Sequence, residues 1–330
     1  MQKLRKSYLT LLICSLILLT SCSNQKNQLP SSTGKTAELI LVKENVQSSS
    51  VTLESIKRYF GSPQFGLNQP EPMANVIEIY KSAFEGLLSM HRNVLMLQIS
   101  PECVNPELTA RSDVWASPQI AVSLKASSDT ALKSLFIKNS EKIYQFFHQN
   151  DIRRVINAFS RDKSNSVIDT IKKVFGIDMV VPLNYYLAKQ TKNFIWLRKE
   201  AKEFSQSIFI YSFPYTDTIQ LNYKTIYSKR DTITKKFIQG SLENSYMAIE
   251  NRYIKPQSIN IKFKDNYAIE TRGLWKVVND FMGGPFINFT ILDEKNNRII
   301  VADGYVYAPN LEKRDYLIQI EAIIHSIKFL

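Results

Sequence analysis

An α+β fold, with antiparallel sheet covered by amphipathic helices, is what the 330-residue sequence predicts. Three observations lead there. Ile259-Asn260-Ile261-Lys262-Phe263-Lys264 alternates strictly, as a strand does when one face is buried and the other wet. Several long segments repeat apolar residues at i, i+3, i+4, the mark of helices with one covered face. A strand–strand–helix order returns three times, and strands joined by short linkers pair antiparallel. The three units share no residue identity, so the order is either an architectural repeat or the common hairpin-then-helix arrangement.

The elements follow in chain order. Glu38 to Lys43 reads as the first strand. Val51 to Phe60 reads as a short amphipathic helix stopped by Gly61-Ser62-Pro63. Gly61 to Pro72 holds Pro63, Gly66, Pro70 and Pro72 and reads as loop, and Ser82 to Arg92 reads as helix. The first unit is Val94–Ile99, Gln119–Leu124 and a helix from Asp129 with Leu132, Leu135, Phe136, Ile143, Phe146 and Phe147 in helical rhythm. A second helix carries Val167, Ile168, Ile171, Val174 and Phe175 on one face. The next unit is Asn193–Leu197, Ile208–Phe213 and a helix from Asp217, where Asp217 and Gln220 resemble a capping box. The last is Phe286–Leu292 and Arg298–Tyr307, turned by Asp293 to Asn297, then a helix after Pro309-Asn310 with Leu317, Ile320, Ile324 and Ile327 inward. The folded body is expected over residues 37–330, with two subdomains dividing near 176–192.

The chain's start carries a different signature. Lys3, Arg5 and Lys6 precede an apolar run from Tyr8 to Thr20, which ends in Leu19-Thr20-Ser21-Cys22. A basic region, an apolar region and small residues before a cut are a secretory leader. As a helix the apolar run spans roughly 20 Å at ~1.5 Å per residue, short of the ~30 Å hydrocarbon core. Leu-Thr-Ser-Cys resembles the lipobox of bacterial lipoproteins, so residues 1–21 are expected to leave and the Cys22 sulfur to be acylated, with fatty chains such as palmitate holding the protein at a membrane. Residues 22–36 are polar, with Pro30 and Gly34, and read as a flexible tether reaching about 20 Å.

Composition narrows the chemistry. Hydrophobic residues at 44% and charged residues at 22% suffice for a core. Ten glycines in 330 fall below the roughly 7% average and weigh against glycine-rich phosphate loops. Removing residues 1–21 takes three of the 42 Lys and Arg, leaving 39 against 30 acids, a net +9. Lys229-Arg230, Lys235-Lys236 and Arg153-Arg154 are basic pairs on helices, read as solvated faces or as contacts for anionic lipid or glycan. Nucleic acid is not expected for an exported chain. Cys14 leaves with the leader and Cys22 is acylated, so Cys103 stays as a lone thiol in a Pro-bracketed loop and no disulfide is expected.

There is no Gly-x-Ser-x-Gly, no Walker loop and no His or Cys pair at zinc spacing, so no metal and no cofactor are expected. His91 reads as a partner of helix-end carbonyls, while His148 and His325 read as surface or boundary residues. Asp293-Glu294 suits a hairpin turn, and Glu270 and Asp280 flank the Trp275 segment. The most unusual stretch is Arg272-Gly273-Leu274-Trp275 followed by Phe281-Met282-Gly283-Gly284-Pro285-Phe286. Arg272, Trp275, Met282, Gly283, Gly284 and Phe286 form a candidate binding surface built on a tight turn; the competing reading makes the aromatics core.

Leu29-Pro30-Ser31-Ser32-x-Gly34, Gln69-Pro70-Glu71-Pro72, His91-Arg92-Asn93, Asn193-Phe194-Ile195-Trp196, Gly273-Leu274-Trp275, Met282 to Phe286 and Tyr307-Ala308-Pro309 together resemble the lipoproteins of Bacteroidota grouped as domain of unknown function 4837. The resemblance runs over nearly the whole mature chain. It implies an envelope lipoprotein and carries over no catalytic residue. In that lineage, surface export goes with acidic residues after the lipidated Cys. Ser23-Asn24-Gln25-Lys26 lacks them, which implies an outer-membrane anchor facing the periplasm.

The expected function is a non-enzymatic binding or scaffolding module, whose partners are the membrane through its lipid and an envelope protein or an anionic lipid or glycan. The second reading is a periplasmic hydrolase or glycan-active enzyme whose carboxylates converge from distant positions.

Overall fold

The computed structural model describes residues 29–330. The leader 1–21, the acylation position Cys22 and the tether up to residue 28 lie outside the described residues. Helices and strands are mixed, as α+β requires, and fall into two halves with separate sheets.

The N-terminal half is built from β1 (Glu38–Glu44), α1 (Val51–Phe60), β2 (Asn75–Tyr80), β3 (Asn93–Ile99), β4 (Glu107–Ser112), β5 (Ile120–Ala126) and the 31-residue α2 (Asp129–Phe159). Its strands run β2-β1-β3-β5-β4. The pairs β1–β2, β1–β3 and β3–β5 are parallel, and only β4 runs against its neighbour. The expectation of antiparallel pairing fails in this half, and with it the threefold strand–strand–helix unit. Val94–Ile99 and Gln119–Leu124 lie side by side in the same direction, because β4 intervenes and reverses the chain between them. The four consecutive apolar residues Leu39 to Val42 are all buried, as strands covered on both faces require. On one face Leu39, Leu41, Leu95, Leu97, Val122 and Leu124 pack under α1 and α2. On the other, Ile40, Val42, Val94 and Ala121 meet Phe84 and Trp115.

Two further expectations change here. Ser82 to Arg92 holds only a 3₁₀ turn, Lys81–Ala83, and one helical turn, Gly86–Ser89. Gly86 takes φ +54, which interrupts the helical rhythm of Phe84, Leu87 and Leu88. The expected tether is also shorter than 22–36. Ser31 bridges to Ser117 and Thr33 to His91. The Arg92 Nη2 donates to Gly34 O at 2.5 Å, and Arg154 donates to Ser32. Residues 31–36 are therefore part of the body.

The C-terminal half holds α3 (Asn165–Phe175), β6 (Ile177–Asp178), β7 (Tyr186–Gln190), β8 (Phe194–Glu200), β9 (Ser205–Pro214), α4 (Tyr223–Phe237), β10 (Tyr246–Glu250), β11 (Gln257–Phe263), β12 (Asn266–Val278), β13 (Gly283–Asp293), β14 (Arg298–Tyr307), α5 (Arg314–His325) and β15 (Lys328–Phe329). The large sheet runs β10-β12-β13-β14-β9-β8-β7, with β11 also on β12, and every pairing is antiparallel. The hairpins β8–β9 and β13–β14 meet along β9 and β14. One face of the sheet packs on α3 and α5 through Ile208, Ile210, Ile287, Phe289, Ile300 and Ala302. The opposite face carries Phe194, Phe209, Trp275, Phe286, Val301 and Tyr305, with Ile233 and Phe237 of α4 against it. Asp217 and Gln220 do form a capping box, on the 3₁₀ turn Thr218–Leu221 that precedes α4.

Because α3 supplies Val167, Ile168, Ile171 and Phe175 to the second core, the chain changes core at 160–164, ahead of the 176–192 stretch. The halves meet where Ile152 of α2 and Ala37 pack on Ile318 and Ala322 of α5. Among the described residues, no helix is long and apolar enough to cross a membrane.

Candidate functional site: a cleft between the two halves

α2 and the loop after α1 form one wall of a cleft of about 600 Å³; β11, β12 and α5 form the other. Glu321 of α5 sits at its floor with 2% of its side chain exposed. The reason is positional. Leu317, Ile320 and Ile324 form the inward stripe of α5, and position 321 shares that side one turn from 317 and 324. A carboxylate there must be paired. Glu321 Oε1 accepts from His148 Nε2 of α2 at 2.7 Å and from Arg272 Nη2 of β12 at 2.8 Å, with His325 Nε2 3.8 Å away. Arg272 Nε in turn donates to Glu270 at 2.5 Å. The His148 ring stacks on Tyr144 one turn back.

The charges of this group are strongly biased. Burial pushes the Glu321 carboxyl up, but Arg272 and His148 outweigh it and hold it well below the usual carboxylate range. Burial pushes His148 down, but Glu321 outweighs that and raises it above an ordinary imidazole. Burial raises the Tyr144 hydroxyl, so it stays neutral. Two acceptors on the lining are enclosed and have no partner: Glu321 Oε2 and Gln64 Oε1. Ile259 of β11 adds an apolar flank and is 57% exposed, although its neighbours in the alternating strand are progressively covered.

Of the six residues expected to form one surface, Trp275, Met282, Gly283 and Gly284 line one open recess of about 580 Å³, while Arg272 and Phe286 lie apart from it. Arg272 lies in the cleft between the halves. Trp275 and Phe286 are core, 2% and 0% exposed, with Trp275 Nε1 donating to Val306 O at 3.2 Å. Met282 and the inner edge of Trp275 line a separate recess of about 320 Å³ with Trp196, Tyr305 and Tyr307. Gly283 and Gly284 allow close backbone approach, since a Cβ on Gly284 would collide with Val306 O. Of the residues that make the cleft, the sequence marks Arg272 as a candidate but not Glu321 or His148. Glu321 had one legible mark, a charge inside the apolar stripe of a helix. His148 stood between core positions, and nothing local to it announces a partner 173 residues away.

The other singled-out residues are structural. His91 is buried between Asn93 O at 3.1 Å and Glu38 Oε1 at 2.9 Å. Arg230, expected on a solvated face, is buried instead. It donates to Asp303 at 2.8 and 3.1 Å and lies 3.8 Å over the Phe286 ring, because an inward guanidinium needs a carboxylate and finds one on β14. Asp293 is held by Arg298 at 2.7 Å across the hairpin turn. Asp280 accepts from Phe281 N on the exposed loop before β13. Cys103 is buried, its Sγ donating to Asn105 O at 3.0 Å. Among the described residues no group of three or more His, Cys, Asp or Glu side chains could hold a metal ion.

Comparison with known proteins divides the chain at the same place as its cores. Residues 164–326 match the family model described as Domain of unknown function (DUF4837). Residues 32–160 match a second, Domain of unknown function (DUF8532), so the first family covers the C-terminal half and not the whole mature chain. No match was found among the curated proteins. Among solved structures, a point mutant of the protein Mog1 and the Saccharomyces cerevisiae Ran-binding protein Mog1p are each 9% identical. Each is covered over 90% of its length by 47% of this chain, with TM-scores of 0.31 and 0.30. A likeness this slight supports no conclusion about fold or ligand.

Proposed function

We propose, for a chain whose residues 164–326 belong to the DUF4837 family, that it is a binding module of a bacterial envelope, held at a membrane through Cys22, with its ligand in the cleft between the halves. The observation that carries the binding reading is the pair of enclosed, unpartnered acceptors, Glu321 Oε2 and Gln64 Oε1, on one cleft. Buried acceptors without donors cost about 1–3 kcal/mol each, so the site favours a ligand that brings N–H or O–H groups. Glu141, Glu270 and Glu321 are matched in number by Lys262, Arg272 and His148, whose pairing with Glu321 favours its charged form, so the two open acceptors and not net charge select the ligand. A primary ammonium on an alkyl or sugar body fits that chemistry, with Ile259, Ile261 and Phe65 against the body.

Hydrolysis by paired carboxylates is the weaker reading. It needs one carboxyl raised so that it can donate a proton. Glu321 is held low, and a guanidinium ties it to Glu270. Of the raised carboxyls, Asp151 and Asp303 are buried against Arg92 and Arg230 and Asp231 accepts from Ile249 N, and none of the three lines this cleft.

Titration calorimetry with lysine amide and with glucosamine, each beside its N-acetylated form, tests the ligand class. The free amines should bind and Glu321→Gln should weaken them at least about tenfold, the loss of one charge-assisted hydrogen bond. Equal binding of the acetylated forms, or no effect of Glu321→Gln, contradicts it. The anchor has its own test: Cys22→Ala should release the protein from membranes, and a variant that still pellets with them removes that part of the proposal.

A further inference from the structure

We infer that the end of the N-terminal half formed by residues 29–35 and 81–90 is a bilayer-contact surface, with Leu87 and Leu88 entering the headgroup region. The inference rests on acylation of Cys22 and concerns what that anchor does to the body's orientation. Its starting point is where the body begins. Thr33 N donates to Met90 O at 2.9 Å and Thr33 Oγ1 to Leu87 O at 3.2 Å, while Arg92 and Arg154 hold Gly34 O and Ser32. The first fixed residues therefore lie against the Gly86–Ser89 turn. Between Cys22 and Leu29 the chain reaches at most about 25 Å at ~3.5 Å per residue. An anchor at Cys22 thus keeps this end of the molecule beside the membrane.

The surface there suits that neighbour. Leu87 is 70% exposed, and Leu88 and Leu29 are also exposed, three large apolar side chains around one short segment. No packing requirement places them outward, since the Phe84 and Trp115 rings already close the sheet face behind them. Lys35 and Lys81 are exposed on the same segments, against one exposed carboxylate, Glu85, and their ammonium groups can meet lipid phosphates. Two leucines at the interface add to an acyl anchor in the way that a second signal converts marginal binding into stable binding.

The test uses the full acylated protein in phosphatidylethanolamine–phosphatidylglycerol vesicles, with an environment-sensitive fluorophore on Leu87→Cys. Cys103 is buried, so the new thiol is the one that labels. The control is Ile219→Cys, equally exposed but in the C-terminal half. The Leu87 label should blue-shift on reconstitution and lose intensity to a lipid-borne nitroxide quencher, and the Ile219 label should do neither. Vesicles that float with protein while the Leu87 label stays unchanged overturn the contact surface and leave the anchor standing. A Leu87 label that shifts only after envelope proteins are added assigns the surface to a protein partner and likewise overturns it. Protein that does not float shows that the anchor itself is wrong, and the orientation fails with it.

Discussion

Glu321 and His148 show how one ion pair couples a residue's protonation to the contact between two halves. His148 is faced by Glu321 and Arg272 from the C-terminal half and by Asp151 from its own helix, and Glu321 is faced by Arg272, His148 and His325. The His148 pKa is raised on folding, so its contribution is fully present below the unfolded value near 6.5 and is lost as pH rises through the folded one. The Glu321 pKa is lowered, so its contribution is present above the ordinary 4.5 and is lost as pH falls through the depressed value. The bridge is therefore strongest between those limits. His148→Gln keeps a donor at this position but cannot titrate. Thermal melts should show wild type above His148→Gln by about 1–2 °C near pH 5.5, as about 1 kcal/mol predicts for a chain of this size, with the gap closing towards pH 9. A gap that is constant across that range would show that the imidazole serves as a neutral hydrogen-bond donor only.

Elements are where the sequence was most and least informative, and Asp129 marks the boundary. The long helix α2 was legible from Leu132, Phe136, Ile143 and Phe147, but not what its first residue does. Asp129 accepts from Ser50 Oγ at 2.5 Å, Val51 N at 2.9 Å and Thr52 Oγ1 at 2.5 Å, so the start of α2 caps the start of α1. Burial raises its carboxyl, but these hydrogen bonds outweigh that and lower it. Asp129→Ala should cost about 2 kcal/mol, at the upper end for a lost cap, and Asp129→Asn less, read as a fall in urea midpoint at unchanged slope. An unshifted midpoint would mean that Ser50 caps α1 alone. The same limit explains the other readings. The hairpins around Asp293–Asn297 and the apolar faces of α3 and α5 follow from local period and turn chemistry. Strand direction in the first sheet does not, since it depends on β4 reversing a connection. Of the six candidate residues from Arg272 to Phe286, which are close in sequence, Trp275, Gly284 and Phe286 share one face of β12 and β13 and Arg272 lies on the other, with Met282 in the loop between the strands. Proximity along a strand puts neighbours on opposite sides of a sheet.

Across the whole molecule, three of the motifs behind the family resemblance, those at 29–34, 69–72 and 91–93, join parts of the chain rather than line a recess. Ser32 and Gly34 are held by Arg154 and Arg92, and Arg92 and Asn93 converge on Asp151, at 3.0 and 3.3 Å, locking the first residues of the body to α2. Gln69-Pro70-Glu71-Pro72 does the same between halves. Glu71 is buried, and its two oxygens accept from Lys313 N at 2.7 Å and Arg314 N at 2.8 Å, the free donors at the start of α5. Lys313 Nζ returns to Gln69 at 2.9 Å and Arg314 Nη1 to Pro72 O at 2.7 Å. A carboxylate from one half thus caps the helix that carries Glu321 in the other. Two halves tied this way should melt together. Calorimetry of the wild type should give one transition, with calorimetric and van't Hoff enthalpies equal. Glu71→Ala strands two buried N–H groups at about 1–3 kcal/mol each. It should lower the melting temperature by several degrees and push the van't Hoff enthalpy below the calorimetric one as the halves uncouple. The conservative Glu71→Gln, which keeps one acceptor oxygen, should recover part of the loss. If Glu71→Ala melts as wild type does, then α2 against α5 suffices to hold the halves, and the loop only rests on them.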